Sequence, residues 1–178
     1  LKFDEFLIKN FKDNEVKFNL SKGNILNEIG EIKKGDGTPF KVFTPFWKNA
    51  EKFYLEKIPS KNKKIIKCKK KVSFFNKTIN TKEIFSQKKW FKKFESYWVP
   101  SEQRALKELK KFINSGIDNY SERRNFPSIE GTSRLSPYIK HGQIHVETIW
   151  EECVKNKKKG LEKFLAEIGW REFNHSLI

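Results

Sequence analysis

The sequence predicts a mainly helical chain, entered from a short mixed α/β segment through a long irregular connection. Three observations predict it. Apolar residues recur at helical spacing in three stretches after Pro100, whereas no such period is sustained between about residues 54 and 98. A strand-like run, Lys41-Val42-Phe43-Thr44, and a glycine-rich turn precede that connection. The 178 residues allow one ordinary domain or the junction of two incomplete ones, and 37% apolar content implies a modest core.

In chain order, Leu1, Phe3, Phe6 and Leu7 suit a short helix. Gly35-Asp36-Gly37, between Ile32 and Phe40, marks a turn; the lysine and hydroxyl of a Walker phosphate loop do not follow, so a plain hairpin leading into the 41–44 strand is expected. From Tyr54 to Trp98 the chain mixes lysines with Phe74, Phe75, Phe85, Trp90, Phe91, Phe94, Tyr97 and Trp98. Such a mixture is a linker anchored by its rings, or a surface that stacks single-stranded nucleic acid. Beyond Pro100, Ser101 can cap a helix whose buried face is Ala105, Leu106, Leu109, Phe112 and Ile113, and Asn114-Ser115-Gly116 ends it. Two more helices are predicted, over 146–156 and from Gly160 to the end, with Lys157-Lys158-Lys159-Gly160 as the break. Leu161, Phe164, Leu165, Ile168 and Leu177 trace the buried stripe of the last one.

A formal charge of +16 favours a polyanionic partner, because each cation set against a phosphate releases condensed counterions. Thirty-three of the 38 basic residues are lysine, an excess that AT-rich codon usage also generates together with Asn, Ile and Phe. The five arginines, Arg104, Arg123, Arg124, Arg134 and Arg171, all lie in the second half, where a planar bidentate donor has a more specific use. Cys68 and Cys153 form neither a disulfide framework nor a zinc pattern, and His141 and His145 have no third ligand near them. No apolar run approaches the roughly 20 residues of a membrane span. A reduced, cytoplasmic setting without membrane or metal is expected. Methionine is absent even at position 1, so the chain reads as starting inside a longer frame.

The chemistry concentrates in two places. Pro137 suits the first position of a helix and Ser136 its N-cap, giving a short helix over 136–140 that His141-Gly142 terminates. Unpaired N–H groups would then lie beside the hydroxyls of Thr132 and Ser133 and the guanidinium of Arg134, a diphosphate-sized anion site. A capped helix start without a ligand is the plain alternative. On the last helix, Glu167, Trp170, Arg171 and Asn174 share a face. They form either an exposed Glu167–Arg171 ion pair beside a half-buried Trp170, or a stacking plate with an acid acceptor and a phosphate donor. Tyr120 and Arg124, also four apart, can add an aromatic edge and a phosphate contact.

Tyr120-Ser121-Glu122-Arg123-Arg124, Glu130-Gly131-Thr132-Ser133-Arg134-Leu135-Ser136-Pro137-Tyr138 and Trp170-Arg171-Glu172-Phe173 resemble, in order and spacing, the photolyase/cryptochrome family, most of all its class I cyclobutane pyrimidine dimer photolyases. Val42-Phe43-Thr44-Pro45-Phe46-Trp47-Lys48 resembles the strand end that closes that family's antenna domain, and Pro100, Glu102, Ala105, Leu109 and Phe112 resemble the opening helix of its flavin domain. The resemblance implies an antenna-domain remnant over 1–50, an interdomain linker over 51–99, and over 100–178 the first part of a helical FAD- and DNA-binding domain. It assigns Tyr120, Thr132, Ser133, Arg134, Leu135, Ser136 and Arg171 to FAD, Glu167 and Trp170 to a flipped pyrimidine dimer, and Arg124 and Asn174 to DNA. It further implies UV-damaged DNA as partner, a monomer when complete, and a folate- or flavin-type antenna chromophore in the complete protein. Two departures stand out: Ser101 occupies a position where glycine is usual, and Asn174-His175-Ser176 replaces a more aromatic and basic run. A signalling cryptochrome and a flavin-free basic nucleic-acid-binding module are the alternatives.

Overall fold

The computed structural model describes residues 2–13, 23–56 and 90–177. Cys68, Phe74, Phe75 and Phe85, with most of the connection, lie outside the described residues. Helix α1 spans Lys2–Asp13, and its Phe3 and Phe6 stack at 6.5 Å on an exposed face. The hairpin turn forms: Gly37 N–H donates to Lys34 O and Lys34 N–H to Thr38 O, both at 2.9 Å, and Lys33 bridges Pro39. Asp36 accepts from the backbone N–H and the hydroxyl of Thr38, closing the turn.

No strand follows among the described residues. Helix α2 (Phe43–Glu56) begins where the strand was expected. Phe43, Phe46, Trp47, Ala50, Phe53 and Tyr54 recur at spacings of three and four, and Pro45 falls in the first turn, where its missing N–H costs nothing. Strand propensity confined to 41–44 is overridden by the longer stripe that follows. The boundary drawn at residue 50 lies inside this helix. A 3₁₀-helix, Trp90–Ser96, then precedes the helical half.

Helix α3 (Glu102–Ser115) starts as its sequence directs: Ser101 Oγ accepts from Arg104 N–H at 3.2 Å, and Gly116 N–H closes on Phe112 O at 2.8 Å. Ala105, Leu109, Phe112 and Ile113 are buried. Short helices α4 (Tyr120–Arg123) and α5 (Ser136–Lys140) follow. In α5 the cap position belongs to Leu135, not Ser136. Buried Leu135 already has helical backbone angles and accepts from Ile139 N–H at 3.0 Å, which leaves the Ser136 hydroxyl free of capping. Helix α6 spans Val146–Asn156 and α7 spans Leu161–Ser176. Leu177 is exposed rather than buried, because α7 ends before it; the stripe continues instead through Glu172 and Phe173.

Helix α7 is the common partner, packing against α2, α4 and α6, while α3 packs against α6. Its approach to α2 is close at Gly169, where a Cβ would lie 2.3 Å from the Trp47 ring. Around that contact runs an aromatic seam: Phe46 lies 5.2 Å from Phe173, and Trp150 lies 6.0 Å from Trp47 and 5.3 Å from Tyr54. Burial pushes the Tyr54 phenol well above its ordinary pKa, so its hydroxyl stays a donor and bonds Asn27 Oδ1.

Residues 23–27 are clasped to four helices, α2, α5, α6 and α7, by polar groups. Asn24 Nδ2 donates to the carbonyls of Ile139 (2.7 Å) and Ile144 (3.2 Å), and Asn24 Oδ1 accepts from Val146 N–H (2.7 Å) at the start of α6. His145 caps the same helix, its Nδ1 accepting from Glu147 N–H at 3.2 Å while Nε2 lies 3.1 Å from Gly23 O. From α7, Arg171 Nη2 donates to Asn24 O, and Glu172 Oε2 accepts from Leu26 N–H at 2.7 Å. Glu172 is 1% exposed, and the Arg171 guanidinium meets its other oxygen at 2.5 Å. No helix among the described residues is long and apolar enough to cross a membrane.

Two outcomes follow from this packing. Gly169→Ala drives a methyl into the Trp47 ring, and overpacking of that kind costs about 1–3 kcal/mol against a gain of about 1 kcal/mol in helix propensity. A net loss measured by urea unfolding is expected, and it should shrink when Trp47→Leu is combined with it. The second concerns pH. Burial pushes the Glu172 carboxyl above its ordinary 4.5, with Leu26 N–H and Arg171 pulling it back. A carboxyl with a raised folded pKa contributes stability that is full below its unfolded value and lost as pH rises through the folded one. Relative to the non-titrating Glu172→Gln, the natural chain is therefore most favoured near about pH 4 and below, and loses that advantage as pH rises through the raised folded pKa. Parallel thermal melts across this range check it; an advantage that grows with pH contradicts burial as the dominant cause.

Candidate functional site

The loop after α4 lies flat against it, since a Cβ on Gly131 would come within 2.2 Å of Arg123 O. Only glycine permits this approach, and it turns Thr132 out to solvent with Ser133 half-buried beside it. Thr132, Ser133 and Arg134 line a cleft of about 270 Å³ together with Lys111, Ser115 and Arg123. Arg134 then takes a left-handed backbone (φ 54°), which costs a non-glycine residue roughly 1 kcal/mol. Its guanidinium sits 5.2 Å from the Trp98 ring centroid and 3.4 Å from Glu130 Oε1, and Lys111 Nζ meets the second oxygen of Glu130 at the same distance.

That left-handed residue redirects the chain, so Ser136 faces a different cleft. This second cleft, about 510 Å³, is lined by Asn24, Ser136, Lys140, Arg171 and His175 among others. The hydroxyl run thus serves two neighbouring clefts rather than one cradle. Both hold donors, with hydroxyls in each, Lys111 and Arg123 in the first and Lys140 and Arg171 in the second, but the first is also lined by Glu108 and Glu130, and Lys111 pairs with Glu130 as Arg171 does with Glu172. Tyr120 and Leu135 reach neither as surface groups. Tyr120 is buried, its ring 5.5 Å from Phe112 and 5.3 Å from Phe164, and burial pushes its phenol up while Arg124 pulls it down. Leu135 belongs to the core.

On α7 the expected Glu167–Arg171 ion pair does not form. Glu167 pairs with Arg124 Nη1 through Oε1 and meets Lys163 Nζ at 3.7 Å, whereas Arg171 turns to Glu172 and to the Asn24 carbonyl. The cause is burial of Glu172 one residue along, whose carboxylate needs a cation more than the half-exposed Glu167 does. Arg124, which the sequence offers to phosphate, is therefore engaged with an acid, and the Glu167 hydrogen bond raises its already high pKa further. Trp170 stands one turn from Glu167, 43% exposed, with its ring stacked on Phe43 at 3.8 Å and 11°. Asn174 is exposed, its carbonyl accepting from Leu177 N–H at 3.4 Å.

Ser136 and Arg171 are brought to one cleft, and Arg124 joins the Tyr120 segment to Glu167, so the hydroxyl loop and the α7 face are neighbours. Sequence reasoning missed Asn24, Phe43, Lys163 and Glu172. Glu172 had a signal: it lies four residues after Ile168 and seven after Leu165, inside the buried stripe. Asn24 had none, because its partners are more than a hundred residues away. Cys153 is inert packing, its thiol pushed up to about 12 by burial.

Comparison with known proteins converges on one family. The DNA photolyase family model matches residues 1–64. The deoxyribodipyrimidine photo-lyase of Agrobacterium fabrum is 30% identical over 184 residues, covering 98% of this chain and 37% of that protein. That of Alkalihalophilus pseudofirmus is 33% identical over 151 residues, covering 83% of this chain and 31% of that protein. The chain thus spans about a third of the length of the curated relatives it matches. The crystal structure of a bacterial class III photolyase from Agrobacterium tumefaciens shares the fold, with a TM-score of 0.78 and 24% identity over 99% of this chain and 37% of that one. With sequence relatives, family model and fold in agreement, the chain belongs to the DNA photolyase family.

Proposed function

We propose that this chain is part of a light-driven, FAD-dependent enzyme that repairs cyclobutane pyrimidine dimers in DNA, and that it supplies one wall of the flavin site and the plate on which the damaged bases rest. The observation that carries the proposal is the pairing, one helical turn apart on α7, of a cation-held carboxylate at Glu167 with a backed and partly exposed indole at Trp170. Bases buried in a duplex stack must be extruded before chemistry can reach them, and the receiving pocket needs an aromatic plate and a few polar readers. Trp170 is the plate, Glu167 accepts from the base edge, and Asn174 extends the same face. A carboxylate there suits a pyrimidine dimer carrying N–H donors.

The donor set fits an anionic dinucleotide. Thr132, Ser133 and Arg134 in one cleft and Ser136 and Arg171 in the next offer hydroxyls and guanidinium groups to a diphosphate and its ribose. Tyr120 and Leu135, buried in the core and lining neither cleft, would support these donors only from behind. When bound, FAD supplies the light-excited electron that the chain's own side chains cannot. The residues described here bind, orient and exclude water.

The test uses the complete flavin-loaded protein and a duplex carrying a thymine dimer. Blue light should remove the dimers and darkness should not; flavin binding without repair would point to a photoreceptor, and absence of flavin absorbance to a plain nucleic-acid-binding module. Trp170→Ala should keep its flavin yet bind the dimer duplex about ten- to a hundredfold more weakly, as expected for one lost base–aromatic stack. Thr132→Ala combined with Ser136→Ala should lose flavin first, read by absorbance after gel filtration. Equal flavin loss in both variants contradicts the division of labour.

A further inference from the structure

Asn24 lies ahead of α2, yet both polar atoms of its side chain are engaged by the helical half of the chain. Nδ2 donates to Ile139 O in α5 (2.7 Å) and to Ile144 O (3.2 Å), and Oδ1 accepts from Val146 N–H (2.7 Å) at the start of α6. The carbonyl of the same residue accepts from Arg171 Nη2, while Arg171 Nη1 pairs with the buried Glu172. Neighbours hold the segment on both sides: Gly23 O lies 3.1 Å from His145 Nε2, and Leu26 N–H donates to Glu172 Oε2 at 2.7 Å. Gly23, Asn24 and Ile25 also line the cleft of about 510 Å³ that holds Ser136, Lys140 and Arg171. We propose that Asn24 is a positioning residue for flavin binding: its amide fixes its own carbonyl, and that carbonyl, with Glu172, sets the plane of the Arg171 guanidinium so that the remaining N–H groups serve the cleft. The proposal rests on this cleft receiving the anionic part of FAD.

A guanidinium is a planar fork, and it receives an anion best when its plane is set before the anion arrives. Two acceptors at fixed places define that plane; Glu172 is one and the Asn24 carbonyl is the other. A main-chain carbonyl in an irregular segment is a poor fixture by itself. Here the amide of the same residue ties it to α5 and to the start of α6. Asparagine suits the task because one planar group carries both donor and acceptor, whereas aspartate lacks the donor. Since Arg171 is already paired with an acid, it contributes to an anion through direction more than through net charge. The plain alternative is that Asn24 only caps α6 and fastens its segment, so that stability alone depends on it.

Asn24→Ala separates the two when set beside Ser101→Ala, which removes the cap of α3 and lines neither cleft. Both are made in the complete protein, stripped of flavin and titrated with FAD well below the Tm of either variant. Both should lower Tm. Asn24→Ala should also weaken FAD binding on the order of tenfold, the loss expected when a charge-assisted hydrogen bond is misaligned, while Ser101→Ala keeps the natural affinity. That loss should vanish in a background carrying Arg171→Gln with Glu172→Gln, which removes the guanidinium without stranding a buried carboxyl. There Asn24→Ala should still lower Tm but change FAD affinity by less than about twofold. If the alanine variant does not fold, Asn24→Ser, whose hydroxyl can still cap α6, is read in the same way. The proposal is overturned if Asn24→Ala lowers Tm and keeps its FAD affinity, if Ser101→Ala loses as much affinity, or if the loss persists undiminished in the doubly substituted background. If the natural protein itself binds no FAD, the proposed function fails first, and this inference with it.

Discussion

The missing side chain at position 169 sets the spacing on which the rest of the molecule depends. It lets Trp47 lie against the backbone of α7, and that closeness brings Phe43 within stacking distance of Trp170 and Phe46 against Phe173. The same face of α7 carries Phe164, Leu165, Ile168 and Glu172 into the interior. One helix therefore has two duties, with core residues on one side and the acid, indole and amide of the site on the other. Any shift of α2 relative to α7 moves both at once.

Charge is distributed in the way this arrangement needs. The chain carries +16 overall, but four of its five arginines are engaged one by one: Arg104 with Glu108, Arg124 with Glu167, Arg134 with Glu130 and Trp98, Arg171 with Glu172 and the Asn24 carbonyl. These four arginines act as geometric fixtures, while the far more numerous lysines supply most of the diffuse positive field. The Arg171–Glu172 pair, with the acid buried and the guanidinium partly exposed, shows the distinction well. Replacing Arg171 would leave the Glu172 carboxyl in the interior without its cation, which is more costly than the pair is stabilising.

Much of the fold was legible because its signals are local. Ser101 caps α3 and Gly116 closes it, as their chemistry directs, and the four-residue rhythm of α6 needs no distant partner to be read. The failures share a cause. At 41–44 a four-residue strand preference lost to a stripe extending to Tyr54, and only a window longer than one turn sees it. Ser136 lost the cap position because burial of Leu135 fixed the chain one residue earlier. The partner of Arg171 could not be read from spacing: Glu167 is one turn away on the same helix, yet a buried carboxylate next door and a carbonyl 147 residues back outcompete it. Side-chain identities in the site were visible in sequence; their pairings were decided by desolvation and by contacts across the chain.

The ring of Trp170 is already held by its stack on Phe43 in the free chain. Fixing a large side chain upon association usually costs about 0.5–1.5 kcal/mol, and here that ordering is completed as the protein folds. A planar ligand stacking on this indole would meet a rigid shelf and surrender only its own freedom, an effect set by the phenylalanine behind the ring.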